Sequence, residues 1–288
     1  MIFNRIALGA AQFGMRYGIS NTDGQTSLNE VKKIVDLAKK LNIDMIDSAI
    51  SYGSSEENLG EIGIDNFKIV SKLPSGVLVK AKPSISRYIT ESLERLRKDY
   101  LYGFLCHNAN DLLSPGGEII YKGLRNAKDS GLIKKIGVSV YHPEEIRQLM
   151  YYYDLDIIQA PFNIIDNRLL TSGVLNEICN SSIELHVRSI FLQGLLLMTP
   201  SLIKKRFNEW DELWTNWEVW LKDSKISPLE ACFSYALSFR EIDKIIIGVE
   251  SEWQLNEIAN ITLIKNMNIP SKLHNDNQML INPANWNK

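Results

Sequence analysis

The sequence has little cysteine: Cys106, Cys179 and Cys232 are widely spaced and form no Cys-x-x-Cys pair. An odd number of isolated thiols excludes a disulfide framework or a cysteine-built zinc or redox site, and fits a reducing compartment. Long hydrophobic runs are also missing. The most apolar stretch, 189–198, is broken by Gln193 and falls far short of the ~18 residues that a membrane helix needs. Near the N-terminus Arg5 precedes only a short apolar run, 6–11, before Gln12. That run is too short and wrongly flanked for a signal peptide, so the chain reads as cytoplasmic, with no membrane partner. An excess of either charge is absent too: 32 basic against 34 acidic side chains leave −2, and no basic footprint for nucleic acid results. The four histidines share no ligand spacing, which argues against a metal site. The partner to expect is a small molecule.

What is present is an ordinary globular composition, with 45% apolar and 23% charged residues in 288. A chain of this length buries roughly 75% of its unfolded surface, so it needs no staple. Short β-type runs at 5–9, 44–47, 67–72, 101–106, 135–139, 156–159, 184–189 and 244–248 alternate with helical patterns. The helices are expected at 27–41, 56–63, 84–98, 117–130, 142–152, 168–180, 227–239 and 251–261. Ser27 with Glu30, and Ser227-Pro228 with Glu230, are helix starts. In the first helix Val31, Ile34, Val35, Ala38 and Leu41 share one face while Lys32, Lys33, Lys39 and Lys40 face water. No linker or composition break divides the chain, so eight β/α pairs predict an α/β fold, a single-domain (β/α)8 TIM barrel. Its core spans about 5–261, followed by a polar tail at 262–288. An extra helix at 208–224, before the seventh barrel helix, carries Trp210, Trp214, Trp217 and Trp220 on one stripe. Their spacing of three and four marks a covering surface.

Barrel sites lie at the C-terminal strand ends. There Asp47 closes strand two, Tyr52 follows in the next loop, Lys72 closes strand three and His107 stands just past strand four. Neighbouring strand tops are ~5 Å apart, so the four side chains can converge. A buried Asp and a buried Lys are costly unless they pair with each other. A lysine near a tyrosine stabilises the phenolate by about 4 kcal/mol at ~4 Å and an effective dielectric of ~20, which predicts a Tyr52 pKa drawn toward neutrality. Asp47 would keep Lys72 charged, and His107 would donate to a substrate oxygen. The group suits protonation of a carbonyl during its reduction.

The stretch Asp47-Ser-Ala-Ile-Ser-Tyr52-Gly53, followed by Ser55-Glu56-Glu57-Asn58-Leu59-Gly60, resembles the signature of the aldo-keto reductase superfamily. The likeness continues through Gly9, Phe13-Gly14, Ile69-Val70-Ser71-Lys72, Leu105-Cys106-His107, Gly137-Val138-Ser139, Gln159-Ala160-Pro161-Phe162-Asn163, Gly194-Leu195-Leu196, Gly248 and Gln254-Leu255 with Glu257. The resemblance implies an NAD(P)H-dependent reductase of aldehydes or ketones, in which Tyr52 donates the proton, Lys72 and Asp47 tune it, and His107 orients the carbonyl. It further implies that Ser139 and Gln159 hold the cofactor carboxamide. Other cofactor contacts are expected at Gly9, Ala10, Arg188, Ser189, Gln193, Gly194, Gly248, Glu250, Gln254 and Glu257. The family binds an extended cofactor across the barrel mouth, so the lack of a Gly-x-Gly-x-x-Gly motif excludes nothing. Its C-terminal segment often covers the substrate site, which implies that the tail at 262–288 lies over the mouth.

Three positions depart from the family pattern. Val140 stands where an Asn usually contacts the nicotinamide. Arg188 replaces an aromatic that stacks on it; a guanidinium also stacks on a flat ring, but disfavours the positively charged oxidised form. Glu250 stands where Arg or Lys commonly grips the 2′-phosphate of NADP(H), the family's usual cofactor. A carboxylate repels phosphate and can accept from ribose hydroxyls, which points to NAD(H), although a lysine such as Lys265 from the tail would restore a phosphate site. The stretch 186–198, with 11–14 and Tyr17-Gly18-Ile19, resembles a bacterial subgroup of surface-polysaccharide gene clusters, implying a sugar or nucleotide-sugar substrate. Gln12, Tyr17, Asn108, Asn163 and Gln193 would offer such a substrate hydrogen bonds.

Other polar residues read as structural: His142 as a helix entry, His186 as a mid-strand residue, Cys106 as packing, and Glu56-Glu57 as a helix first turn. Two rivals stay open. One is a cofactor-sensing binding protein on the same barrel with little turnover; the other is a hydrolase using Asp44 and Asp47, whose spacing places them on opposite strand faces.

Overall fold

In a computed structural model, which describes residues 2–77 and 84–286, eight parallel strands close into the expected barrel. They are β1 (Ile6–Gly9), β2 (Met45–Asp47), β3 (Lys68–Leu73), β4 (Leu101–Cys106), β5 (Ile133–Ser139), β6 (Ile157–Pro161), β7 (Glu184–Arg188) and β8 (Lys244–Gly248). They neighbour one another in sequence order, and β8 pairs back onto β1.

Alternation along the strands separates two cores. Ala7, Met45, Val70, Leu105, Ile157 and Ile246 fill the barrel interior. Leu8, Ile46, Ile69, Phe104, Val138, Ile158, Val187 and Ile245 face the surrounding helices. The helix Leu28–Lys40 buries the predicted face of Val31, Ile34, Val35 and Ala38. Ser27 and Ser227 cap their helices, and Glu230 returns the second capping bond to Ser227.

Charged residues close the N-terminal end of the barrel. Asp44 pairs with Lys68 at 2.9 Å and also with Lys244. Glu184 accepts from Lys135 at 2.6 Å and from the Tyr102 hydroxyl at 2.8 Å, and lies 3.3 Å from His186 Nε2. Asp44 therefore stands at the opposite end of β2 from Asp47, which removes the carboxylate pair that a hydrolase reading needs. His186 is fully buried there, in the structural role expected of it.

Three details differ from the sequence reading. The helix expected at 168–180 is two, Arg168–Thr171 and Val174–Cys179, because Gly173 turns the chain at φ +80°. The extra helix begins at Asp211 and runs to Ser224, preceded by short helical turns. Its Trp214, Trp217 and Trp220 are buried, Trp214 donating to Phe207 O at 3.0 Å, so the stripe is core. The tail, whose last two residues lie outside the described ones, covers the insertion and not the cleft described below. Leu273, Leu280 and Ile281 are buried, Trp220 donates to Asn268 O at 3.0 Å, and Trp286 packs 5.0 Å from Phe207. Burial of this apolar surface fixes the tail's course.

Among the described residues no helix is long and apolar enough to cross a membrane.

Candidate active site

The four polar residues expected at the strand tops are brought together. Lys72 is fully buried, and its Nζ lies 2.6 Å from Asp47 Oδ2 and 2.8 Å from Ser48 O. The other Asp47 oxygen accepts from Gln159 Nε2 at 2.7 Å. Lys72 Nζ is also 5.1 Å from the centre of the Tyr52 ring, which meets the His107 ring edge-on at 5.6 Å.

The Tyr52 turn is held tightly from below. Ile50 N donates to Lys72 O, Tyr52 N to Ala49 O, and Ser54 N to Gly14 O. Gly14 must be glycine: a Cβ there would lie 1.8 Å from Tyr52 O and 2.2 Å from Ser55 N. Gly53 answers it in the left-handed region at φ +56°. Glu56, expected only as a first-turn acid, is a buried anchor. It accepts from Ser71 and Ser92 hydroxyls, both at 2.6 Å, and from Arg95 Nε at 2.8 Å. It thereby ties the helix after Tyr52 to β3 and to the next helix. No local pattern separates this role from helix-dipole complementation.

Electrostatics correct one expectation. The Tyr52 pKa is raised, not lowered: burial favours the neutral phenol, and the Asp47 charge adds to that. The carboxylate that neutralises Lys72 cancels the field the lysine would exert on the phenol. Burial also lowers Lys72, opposed by Asp47. His107 is pushed down to about 3 by burial, then by Lys72 and Arg188, so its ring is neutral at pH 7. The result is a protonated phenol beside a neutral imidazole, over an internally compensated ion pair.

A cleft of about 440 Å³ runs from Asp47 and Tyr52 across the mouth to the loops after β7 and β8. Gly9, Ala10, Arg188, Ser189, Gln193, Gly194, Gly248, Glu250, Gln254 and Glu257 line it, as do Gln12, Tyr17, Ser20, Ser227 and Trp253, which sequence reading did not assign to a cofactor. Ser139 and Gln159 are buried at the tops of β5 and β6 outside the lining. The loop after β7 is unusual: Ser189, Leu192, Gln193 and Gly194 all have positive φ. Such costly conformations cluster at ligand clamps. The loop also meets the one after β1, where Ile19 N donates to Gln193 O at 3.0 Å and Gln193 Nε2 to the Tyr17 hydroxyl at 3.2 Å. Burial pushes the Tyr17 pKa up to about 12.

At the departures from the family pattern, Val140 is buried in the apolar core. Arg188 donates to Val140 O at 3.0 Å and lies 4.6 Å from the Tyr141 ring centre. Glu250 holds its proton more tightly than usual, through burial and the nearby Asp23. Lys265 does not line the cleft, and among the described residues Arg188 is the one basic residue that does. Asn163 is not a mouth residue. It is buried, donates to Ser189 O at 3.1 Å and accepts from Ile165 and Asp166 backbone N–H, so its amide holds loops together. Asn108 accepts from Asn110 N at 2.9 Å in its own loop. Cys106 is buried and its thiol pKa raised by burial, and His142 enters a helix with Glu145 accepting from its N–H. Among the described residues no group of three or more His, Cys, Asp or Glu is placed to hold a metal.

Residues 5–270 match the Aldo/keto reductase family. A relative, the NADH-specific methylglyoxal reductase of Escherichia coli (strain K12), is 27% identical over 186 residues, which is 56% of each chain. The chain thus aligns with about half the length of that relative. Two solved structures share the fold. An aldo-keto reductase from Bacillus halodurans in its holo form has a TM-score of 0.71 and 17% identity, covering 91% of this chain and 88% of its own. The glycerol dehydrogenase from Gluconobacter oxydans has a TM-score of 0.68 and 20% identity, again covering 91% and 88%. With a family match over nearly its whole length and a closed barrel that places Asp47, Tyr52, Lys72 and His107 around one mouth, this chain belongs to the aldo/keto reductase family.

Proposed function

We propose that the chain is a nicotinamide-dependent carbonyl reductase in which Tyr52 is the general acid. The observation that carries this reading is the Tyr52 phenol, held protonated beside neutral His107 at one end of the cleft. Burial of the phenol and the Asp47 charge keep its proton in place until a carbonyl oxygen gains electrons and becomes a stronger base. Lys72, 5.1 Å from the ring centre and fixed by Asp47 and Gln159, holds a compensated positive charge beside the phenolate left behind. A neutral His107 donates to the same oxygen and holds it toward Tyr52.

The cleft is in the size class that takes a small-molecule cofactor. Gly248 and Gly194 let Gln12 and Ser20 pack closely on its walls: a Cβ at Gly248 would meet Gln12 Nε2 at 2.6 Å, and one at Gly194 would strike the Ser20 hydroxyl. When bound, the nicotinamide supplies hydride to the carbonyl carbon. Gly9, Ala10, Arg188, Ser189 and Gly248 would hold its nicotinamide half, with Ser139 and Gln159 behind them, and Gln193, Gly194, Glu250, Gln254 and Glu257 the remainder. Two carboxylates, Glu250 and Glu257, line that far end, and among the described residues no lysine does, which favours NADH over NADPH. The substrate is a small hydroxylated aldehyde or ketone of sugar type, met by Gln12, Tyr17 and Gln193. The chain would act in the cytoplasm.

Quenching of tryptophan fluorescence by NADH and NADPH tests the cofactor half, with Trp253 in the cleft wall. Tyr52→Phe tests the chemistry: unchanged cofactor affinity with a loss of about 10²–10⁴ in carbonyl reduction is expected. Failure of both cofactors to bind at millimolar concentration removes the reading. The Gln193 contacts with Ile19 and Tyr17 across the cleft favour a second reading, a cofactor-retaining sensor with little turnover. Nanomolar binding with turnover near zero would select it.

A further inference from the structure

His107 Nδ1 lies 3.1 Å from the Ser51 hydroxyl, whereas no protein group among the described residues bonds its Nε2. Ser51 is exposed, and the backbone at His107 and beside Ser51 is held by the same strand. Ile50 N, beside Ser51, donates to Lys72 O, and His107 N donates to Leu73 O, so the end of β3 holds both loops in register. The Tyr52 ring, next in sequence to Ser51, packs edge-on against the imidazole.

A neutral imidazole carries one N–H and one lone pair, and which nitrogen holds the proton follows from the bond the other one makes. A carbonyl oxygen offers lone pairs only, so it needs a donor at the open nitrogen. A serine hydroxyl satisfies the lone pair at the opposite nitrogen by donating to it. A carboxylate in its place accepts only, and would draw the proton to Nδ1.

We propose that Ser51 is a positioning residue that sets the tautomer of His107, donating its hydroxyl hydrogen to Nδ1 and leaving the proton on Nε2 for the substrate oxygen. This rests on the reductase reading above, but the tautomer is measurable without turnover. The charged and titratable groups facing the imidazole are Lys72 from β3, Arg188 from β7 and Tyr52 from the loop after β2.

The experiment compares the parent with Ser51→Thr, Ser51→Ala and Ser51→Asp, using ¹⁵N NMR of the histidine ring and pH profiles of the reduction of a small hydroxylated aldehyde, glyceraldehyde. The parent and Ser51→Thr should show a protonated Nε2 and similar kcat. Ser51→Ala should lower kcat about tenfold at unchanged cofactor affinity, the scale of one lost hydrogen bond. Ser51→Asp should move the proton to Nδ1 and raise the His107 pKa, adding an acid-side limb to kcat/KM absent from the parent. A parent protonated on Nδ1 overturns the proposal, as does a ring spectrum identical in the parent, Ser51→Ala and Ser51→Asp. Absence of turnover in every protein, with the ring spectra as expected, would instead defeat the reductase reading alone.

Discussion

Gln159 on β6 donates from Nε2 to Asp47 Oδ1 at 2.7 Å across 112 residues of sequence, and Asp47 Oδ2 holds Lys72 Nζ at 2.6 Å. The three residues form one chain of contacts through the top of the barrel, and the glutamine orients the carboxylate that fixes the lysine.

Removing the negative charge from that chain leaves a buried cation without its partner. Asp47→Asn should cost about 3–5 kcal/mol of stability, because the desolvated lysine loses its compensation. Adding Lys72→Met should restore much of the loss. Urea denaturation of the two single variants and the double variant measures this, and strictly additive effects would refute it.

Glu250 should decide cofactor preference. Glu250→Lys removes a repelling carboxylate and supplies a cation, so kcat/KM with NADPH relative to NADH should rise at least about tenfold, some 1.4 kcal/mol. Steady-state kinetics with both cofactors checks it. A parent that already prefers NADPH by that factor contradicts the assignment.

The contact between the β1 loop and the Tyr52 turn leaves no room for a side chain at Gly14. Gly14→Ala forces backbone apart, since its Cβ would lie 1.8 Å from Tyr52 O. It should lower Tm and reduce kcat more than cofactor affinity, because Tyr52 itself is displaced. Thermal unfolding with fluorescence titration separates the two effects.

His107 predicts a pH effect of known sign. In the unfolded chain its imidazole binds a proton near 6.5, but in the folded protein only near 3. Between those values the unfolded state binds more protons, so stability contributed by neutral His107 is complete above 6.5 and is lost as pH falls toward 3. His107→Asn should show a shallower loss over this window. Denaturation midpoints of the two proteins from pH 7 to pH 4 test it.

The sequence by itself determined the order of strands and helices and the four residues at neighbouring strand tops. Alternation of apolar runs with amphipathic helices leaves few alternatives to a closed parallel barrel, and consecutive strands in a barrel are also spatial neighbours. Asp47, Lys72 and His107 therefore meet as soon as the topology is known. Tertiary structure alone decided what no local pattern encodes. The Tyr52 pKa shifts opposite to the direction expected from the sequence because desolvation and Asp47 act together while Lys72 is compensated. Asn163 turns inward to hold loops, and Glu56 is anchored by Ser71, Ser92 and Arg95. The tail settles on the tryptophan helix and not over the cleft. Each of these depends on which atoms burial and closure bring within hydrogen-bond or contact distance. Such distances are fixed only when residues far apart in the chain pack together.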